Sequence, residues 1–452
     1  MQKEKIDDFS MKPPKKAYEF KDSAKYFTPD FDKMIEIVFW NGLGFFFYGF
    51  LMAYVSMQIL ETSGLQLGFV FSAQVIGGTI SGPIAGVLTD KIEKKKLVLF
   101  GANGRAFAYI ATYFAVFLRN YLLLLIGVFL LGFLVGFFWT PFDALISEKS
   151  NKDCRSLAFG KRGGKVGTGN LVGTIIGVIM FTLGNYIDQN NYFLVYSPLL
   201  LYAASNVYGG FIFNKFTDES LKYEKYAKGV RPIKNNQCFE SSFDLSGERK
   251  NIQIKSQKMI SLTIGLFVLF LGFLMSKVNQ SITQPLIQGY IIKNLEDDPT
   301  LVMFASFPGE VLAQLISPTL GEKADHVNPM KGMAIVCFFG ALNTWLLIST
   351  HSLFVFMLLL ISDLTLSRTG ELILQNFLSR VSKQHRGKIF GFRRSITNIG
   401  GASGPIIGGF LWDTKGMRSP FIFSIYIELS LIFVHIIAIR LLNETIEEKN
   451  ET

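Results

Sequence analysis

Apolar residues run through this chain in long uninterrupted stretches, not in the strict alternation of half-buried strands. Stretches nearly free of charge stand between short charged breaks, and twelve of them can be marked. They lie near 36–58, 65–87, 97–118, 121–147, 166–187, 192–214, 259–283, 300–320, 331–350, 352–378, 395–412 and 420–442. At 1.5 Å per residue, about twenty helical residues cross the roughly 30 Å hydrocarbon core of a bilayer. Lipid offers no partner to backbone N–H and C=O groups, so a spanning segment must satisfy them internally, as a helix does. Barrel strands would alternate apolar and polar residues, and these stretches do not. The pattern predicts an all-α polytopic membrane protein with twelve transmembrane helices.

Composition sharpens this. Only 18% of the 452 residues are charged while 49% are hydrophobic, and 44 are Phe. A soluble chain carries about a quarter charged residues, so a disordered chain is excluded and the balance argues against a soluble enzyme. The expected layout is an N-terminal tail (1–35), a six-helix half (36–214), a charged linker (215–258), a second six-helix half (259–442) and a C-terminal tail (443–452). The N-terminus is polar, so the first span is expected to direct insertion without a cleaved signal peptide.

The net charge of +10 is distributed as a topology signal, not as a nucleic-acid surface. With both termini placed in the cytoplasm, 38 of the 45 Lys and Arg fall on the cytoplasmic side. The other side holds only Arg119, Lys293, Lys415 and Arg418, and Arg105, Lys277 and Arg368 lie within spans. That asymmetry predicts cytoplasmic termini, and the expected location is the cell membrane.

The second half repeats the first. Pro83, Gly86 and Asp90 return 235 positions later as Pro318, Gly321 and Asp325. Arg155, Phe159, Gly160, Arg162, Gly169, Gly173 and Gly177 return 231 positions later as Arg386, Phe390, Gly391, Arg393, Gly400, Gly404 and Gly408. Gly49-Phe-Leu-Met-x-x-Val55 returns as Gly272-Phe-Leu-Met-x-x-Val278. Two six-span halves with one internal plan are the signature of a duplicated transporter.

Between spans 2 and 3 stands Gly86-Val-Leu-Thr-Asp90-Lys91-Ile-Glu-Lys94-Lys95-Lys96. This resembles the loop signature of the major facilitator superfamily: Gly, three residues, Asp, a base, one residue, Gly, then two bases. Glu93 replaces the second Gly, and a weaker copy follows span 8 at Gly321 and Asp325. The resemblance implies two pseudo-symmetric six-helix halves that rock about a central cavity lined by spans 1, 4, 7 and 10. It implies ion-coupled or facilitated movement of a small solute. It makes Gly86, Asp90, Lys91, Gly321 and Asp325 a conformational switch, with Asp90 paired to a base or facing a helix N-terminus. Span 11 (Gly400, Gly404, Pro405, Gly408) is similar to the span-5 glycine signature of drug:proton antiporters in that superfamily, but stands in the opposite half. Its small residues share one helix face, which suits close helix packing.

Charges within the membrane are costly and usually functional. The solute- and ion-binding candidates are therefore Arg105, Lys277, Glu310, Asp363, Arg368 and Glu371, joined by the polar Asn279 and Gln280 of span 7 and by Trp40 and Asn41 of span 1. Arg368 and Glu371, three apart on a helix, are expected to pair. Protons are the expected coupling ion, carried by Glu310, Asp363 or Glu371. Basic groups suit an anionic solute, and the antiporter-like glycines suit a lipophilic drug. The alternatives are thus a multidrug efflux antiporter or a transporter-like sensor that no longer transports.

Other chemistry lacks its residues. Gly164-Lys165 is followed by Val166, where a phosphate loop needs Ser or Thr. Cys154, Cys238 and Cys337, like the four His, have no metal-ligand spacing. No cofactor, metal, enzymatic activity or nucleic-acid partner is expected. The expected partners are a small solute, protons and lipid, and the expected state is a monomer.

Overall fold

The computed structural model describes residues 26–151, 155–224, 226, 256–296, 298, 301–305, 312, 327–381 and 386–443. Among these residues there is no strand, only one isolated bridge between Phe27 and Ser150. Helices occupy eleven of the twelve expected spans and open the other, span 8, at 301–305. Glu310, Gly321 and Asp325 lie outside the described residues. Eight of the helices are long and apolar enough to cross a membrane by composition alone. Span 3 (Lys94–Phe117), the second segment of span 6 (Pro198–Phe216) and span 11 (Arg386–Lys415) are helices of 24, 19 and 30 residues rich in small and polar side chains.

The helices overrun the apolar windows at the end of the bundle where the chain begins, called the near face below. Span 1 starts at Phe31, span 5 (Arg155–Ile187) eleven residues before its window, and span 7 at Ser256. Hydropathy marks where a helix leaves hydrocarbon, but hydrogen bonding carries it on into water. Span 1 breaks at Leu43-Gly44 into Phe31–Gly42 and Phe45–Tyr54, then ends in a π turn, Val55–Ile59. A Cβ at Gly44 would lie 2.8 Å from the Tyr202 ring, so only glycine fits this break. Span 6 breaks before Pro198, which opens its second segment after the short helix Tyr192–Val195.

Side chains start several helices. Ser63 and Gln66 form a reciprocal capping box on span 2 (Gly64–Thr89). Asn120 caps span 4 (Tyr121–Lys149), and Asn328 caps span 9 (Pro329–Ser349). At the near face, the start of the linker is clasped to the first half. The Glu219 carboxylate accepts from Lys94 N (2.8 Å) and Lys95 N (3.0 Å), capping span 3. Lys149 is buried, pairs with Asp30 at 2.7 Å and donates to the Asp218 and Leu221 carbonyls. Hydrogen bonds from Ser220 to the Asp218 carboxylate hold its pKa below the ordinary value.

Within each half the same helices pair. Span 5 packs on span 1, and span 11 on span 7. The repeated glycines make both contacts. A Cβ at Gly169 or Gly173 would run into the carbonyls of Phe39 and Leu43 in span 1. At Gly404 it would lie 2.6 Å from Ser281 Cβ in span 7, and at Gly408 it would meet the Ile282 carbonyl. The repeated arginines also act alike. Arg162 pairs with Asp143 of span 4, and Arg393 with Glu371 of span 10 (Leu353–Val381) at 3.0 Å.

Contacts between the halves lie toward the opposite, far face. Span 2 packs along span 11, where a Cβ at Gly68 would overlap the Pro405 carbonyl. Asp413 accepts from Gly64 N (2.7 Å) and Leu65 N (2.8 Å), so a carboxylate of one half caps a helix of the other. Deeper, Ser72 donates to the Ala402 carbonyl at 2.6 Å. Below that level a groove of about 370 Å³ opens between spans 2 and 11, lined by residues such as Ile80, Asn398 and Ile406. Gly86, Gly160 and Gly391, toward the near face, have no neighbour among the described residues within 4 Å of where a Cβ would stand. Asp90 is exposed and makes no ion pair among the described residues.

Candidate functional site

Two polar clusters lie at mid-depth, one in each half. In the first half, Arg105 points from span 3 toward span 1 and is 1% exposed. Its guanidinium donates to the Asn41 side-chain oxygen (3.1 Å) and the Asn41 carbonyl (3.0 Å) and lies over the Phe138 ring. No carboxylate pairs with it among the described residues. Arg105 Nε and the Trp40 indole N–H are buried without a hydrogen-bond partner among those residues. Trp40 stacks edge-on with Tyr208 at 4.7 Å. Asn170 and Asn206, buried on spans 5 and 6, each keep an unpartnered side-chain oxygen. A buried cation held only by neutral oxygens keeps its positive field, which carbonyl dipoles soften but do not cancel.

The second cluster carries the opposite charge. Asn279 of span 7 donates to Glu428 of span 12 (Ser419–Asn443) at 3.0 Å. Glu428 lies over Gly340 of span 9, where a Cβ would stand 3.1 Å from Oε2. That oxygen and Asn279 Oδ1 are buried and unpartnered among the described residues. Asp363 of span 10 stands beside the Asn343 amide, which also donates to the Leu359 carbonyl at 2.9 Å. His435, two turns along span 12 from Glu428, is fully buried with Nδ1 4.0 Å from Cys337 Sγ.

The structure splits the sequence candidates. Trp40, Asn41 and Arg105 come together, and Asn279 joins Asp363 in the second cluster. Lys277 and Gln280 share the other face of span 7, bonded to each other at 2.8 Å, with Lys277 Cε 3.6 Å from where a Cβ at Gly401 would stand. They face span 11 at the seam between the halves. Arg368 pairs with Glu371 as expected, at 3.5 Å, but Glu371 is also held by Arg393 and Gln375. That carboxylate sits about 27 Å down span 10 from its far end, close to the near face. Its charge is compensated there, which removes the reason to assign it a coupling proton.

Sequence reasoning missed Glu428, His435, Asn343, Asn170, Asn206 and Asp413. The signal for Glu428 was present: a lone carboxylate midway along an apolar span, the criterion that selected Asp363. Asp413 gave no such signal, because a charge at a span end is ordinary. Among the described residues no cluster of His, Cys, Asp and Glu is arranged to hold a metal ion.

Comparison with known proteins follows this geometry. Residues 37–367 and 269–452 match the family model described as Major Facilitator Superfamily. The chain is 25% identical over 378 residues to the multidrug resistance protein MdtG of Proteus mirabilis (strain HI4320), covering 80% of this chain and 83% of that protein. It is 24% identical to the protein of the same name in Rahnella sp. (strain Y9602), covering 80% of each. Among solved structures, it resembles a bacterial homolog of the human lysosomal transporter Spinster in an inward-facing, unoccupied conformation. The TM-score there is 0.68 with 12% identity, over 93% of this chain and 99% of the other. A proton-dependent oligopeptide transporter structure also shares the fold, with a TM-score of 0.61 at 14% identity over 92% and 98% of the two chains.

Proposed function

The chain belongs to the Major Facilitator Superfamily, and from that premise we propose that it exports lipophilic small molecules from the cell in exchange for protons. It is a multi-pass membrane transporter of the twelve-helix, two-half fold, working by alternating access. The observation that carries the export reading is the similarity, along 80% of the chain, to relatives named multidrug resistance proteins.

The geometry supports the reading. The positive-inside asymmetry supports a cytoplasmic near face and an outer far face. The halves then meet on the outer side, through Asp413 and the span 2–11 contact, in a state that loads from the cytoplasm. An anionic solute is disfavoured, because Arg105 is bound to Asn41, Arg368 to Glu371 and Lys277 to Gln280. Asp363, at mid-depth with no ion pair among the described residues, is the carboxylate assigned to proton coupling. The protein is read as a monomer of the cell membrane with both termini inside.

The test is purified protein in liposomes loaded with the lipophilic dye ethidium. A pH gradient should drive dye movement, and dye movement should release or take up protons in return. Transport that is indifferent to the gradient would overturn the coupling. Movement of anionic solutes alone would overturn the substrate class.

A further inference from the structure

Glu428 belongs to no motif and lies away from the seam between the halves, inside the second bundle. Its neighbours come from three other helices. Asn279 of span 7 donates to one carboxyl oxygen at 3.0 Å, and Gly340 of span 9 leaves room for the other. That second oxygen is buried with no partner among the described residues. Asn343, one turn along span 9 from Gly340, donates to the Leu359 carbonyl one turn before Asp363, so the two carboxyls flank neighbouring turns of span 9. Counted from the far ends of their helices, Glu428 is nine residues in and Asp363 ten, so both lie about 14 Å deep.

Among the described residues, the charged and titratable groups around Glu428 do not neutralise it. Span 9 presents Cys337, span 12 itself presents His435, and span 10 presents Asp363. Lys277, on span 7, turns its ammonium to Gln280 on the face that packs on span 11. Span 11 carries no charge between Arg394 and Asp413. Two carboxylates flanking neighbouring turns of span 9, in a bundle surrounded by lipid, repel each other and cannot both stay ionised at low cost. A proton resolves the conflict: it removes one charge and makes one carboxyl a hydrogen-bond donor.

We propose that Glu428 and Asp363 form a shared proton-binding site within the second half, set by Asn279, Asn343 and Gly340. In the assignment of the coupling proton this rests on the exchange reading above, which it deepens: the proton is held inside one bundle and not in the solute cavity. Gain or loss of that proton changes the charge between spans 7, 10 and 12, and spans 7 and 10 line the cavity in this family. The proton then acts on the solute site through helices, without contact.

The experiment is infrared spectroscopy of the full-length protein in lipid, reading the carbonyl band of protonated carboxyl groups and its shift in heavy water. Wild type should show a buried, deuterium-sensitive carboxyl band near neutral pH. In E428Q and in D363N the remaining carboxyl no longer faces a second negative charge, so the band should fall about twofold or more. Asn279 can donate to a Gln amide oxygen as it does to Glu428, so E428Q should remain monodisperse. Absence of the band in wild type, its retention at more than half strength in both variants, or its loss on adding sodium instead of base would overturn the site. Ethidium transport by the same samples separates the two readings. A band that behaves as expected beside gradient-independent transport overturns the coupling and keeps the site. Gradient-driven transport that survives unchanged in both variants overturns the site's assignment as carrier of the coupling proton and keeps the exchange reading.

Discussion

Arg105 is the twelfth residue of span 3, and the twelfth residue of span 9 is Gly340. Both helices begin four residues after the repeated Asp, so the two positions correspond. Asn206 in span 6 corresponds likewise to Glu428 in span 12, each eight residues after the Pro of a Ser-Pro pair. The first half thus holds a buried cation beside amides, and the second holds a carboxylate in the space that a glycine leaves. Around these inverted centres the scaffold is unchanged: glycines of spans 5 and 11 clear spans 1 and 7, and Arg162 and Arg393 reach back to a carboxylate on the preceding span. The duplication has kept what packs helices together and exchanged what does chemistry.

The largest effect is expected where the halves agree. Gly173→Leu and Gly408→Leu each force a side chain into a facing backbone, costing about 3 kcal/mol or more. Both variants should lose monodisperse behaviour on size exclusion and melt well below wild type. If only one does so, the scaffold is not shared.

Arg105→Met tests the cationic centre alone. It leaves the Asn41 oxygens without their donor, at about 1–3 kcal/mol. Transport should fall roughly tenfold or more, since 1.4 kcal/mol is a factor of ten. Lys restores the charge but not the two-pronged donation, so Arg105→Lys should recover stability in part and transport little. Full transport in the Met variant would make the first cluster a structural device.

Asp413→Asn probes the contact between the halves. Losing a charge at a helix N-terminus costs about 1 kcal/mol, roughly a fivefold shift in the balance of states. A cysteine introduced at Ser63 should react faster with an impermeant maleimide by about that factor. An unchanged rate would mean that the Gly68–Pro405 contact alone closes the outer side.

The smallest effect belongs to Gly86→Ala. With no neighbour among the described residues, a methyl group in a helix interior should leave stability unchanged or raise it by about 0.5–1 kcal/mol. A drop in melting temperature would reveal a partner for span 2 at the near face.

The chain's own pattern determined the helical class, the twelve spans, the six-plus-six division and the pairing of Arg368 with Glu371. These follow from local rules: hydrocarbon thickness sets span length, and helix pitch sets which residues share a face. The repeat also located the packing glycines, though not what they touch. Folding alone decided that Lys277 and Asn279, two residues apart, serve opposite faces of span 7, one toward span 11 and the other toward Glu428. It decided that Arg105 is held by neutral oxygens, that Glu371 is shared between two arginines, and that Asp413 caps a helix some 350 positions earlier in the chain. Hydropathy records how much charge a span bears. The partner that meets each charge is set by how helices distant in sequence are brought against one another, and no local pattern encodes that distance.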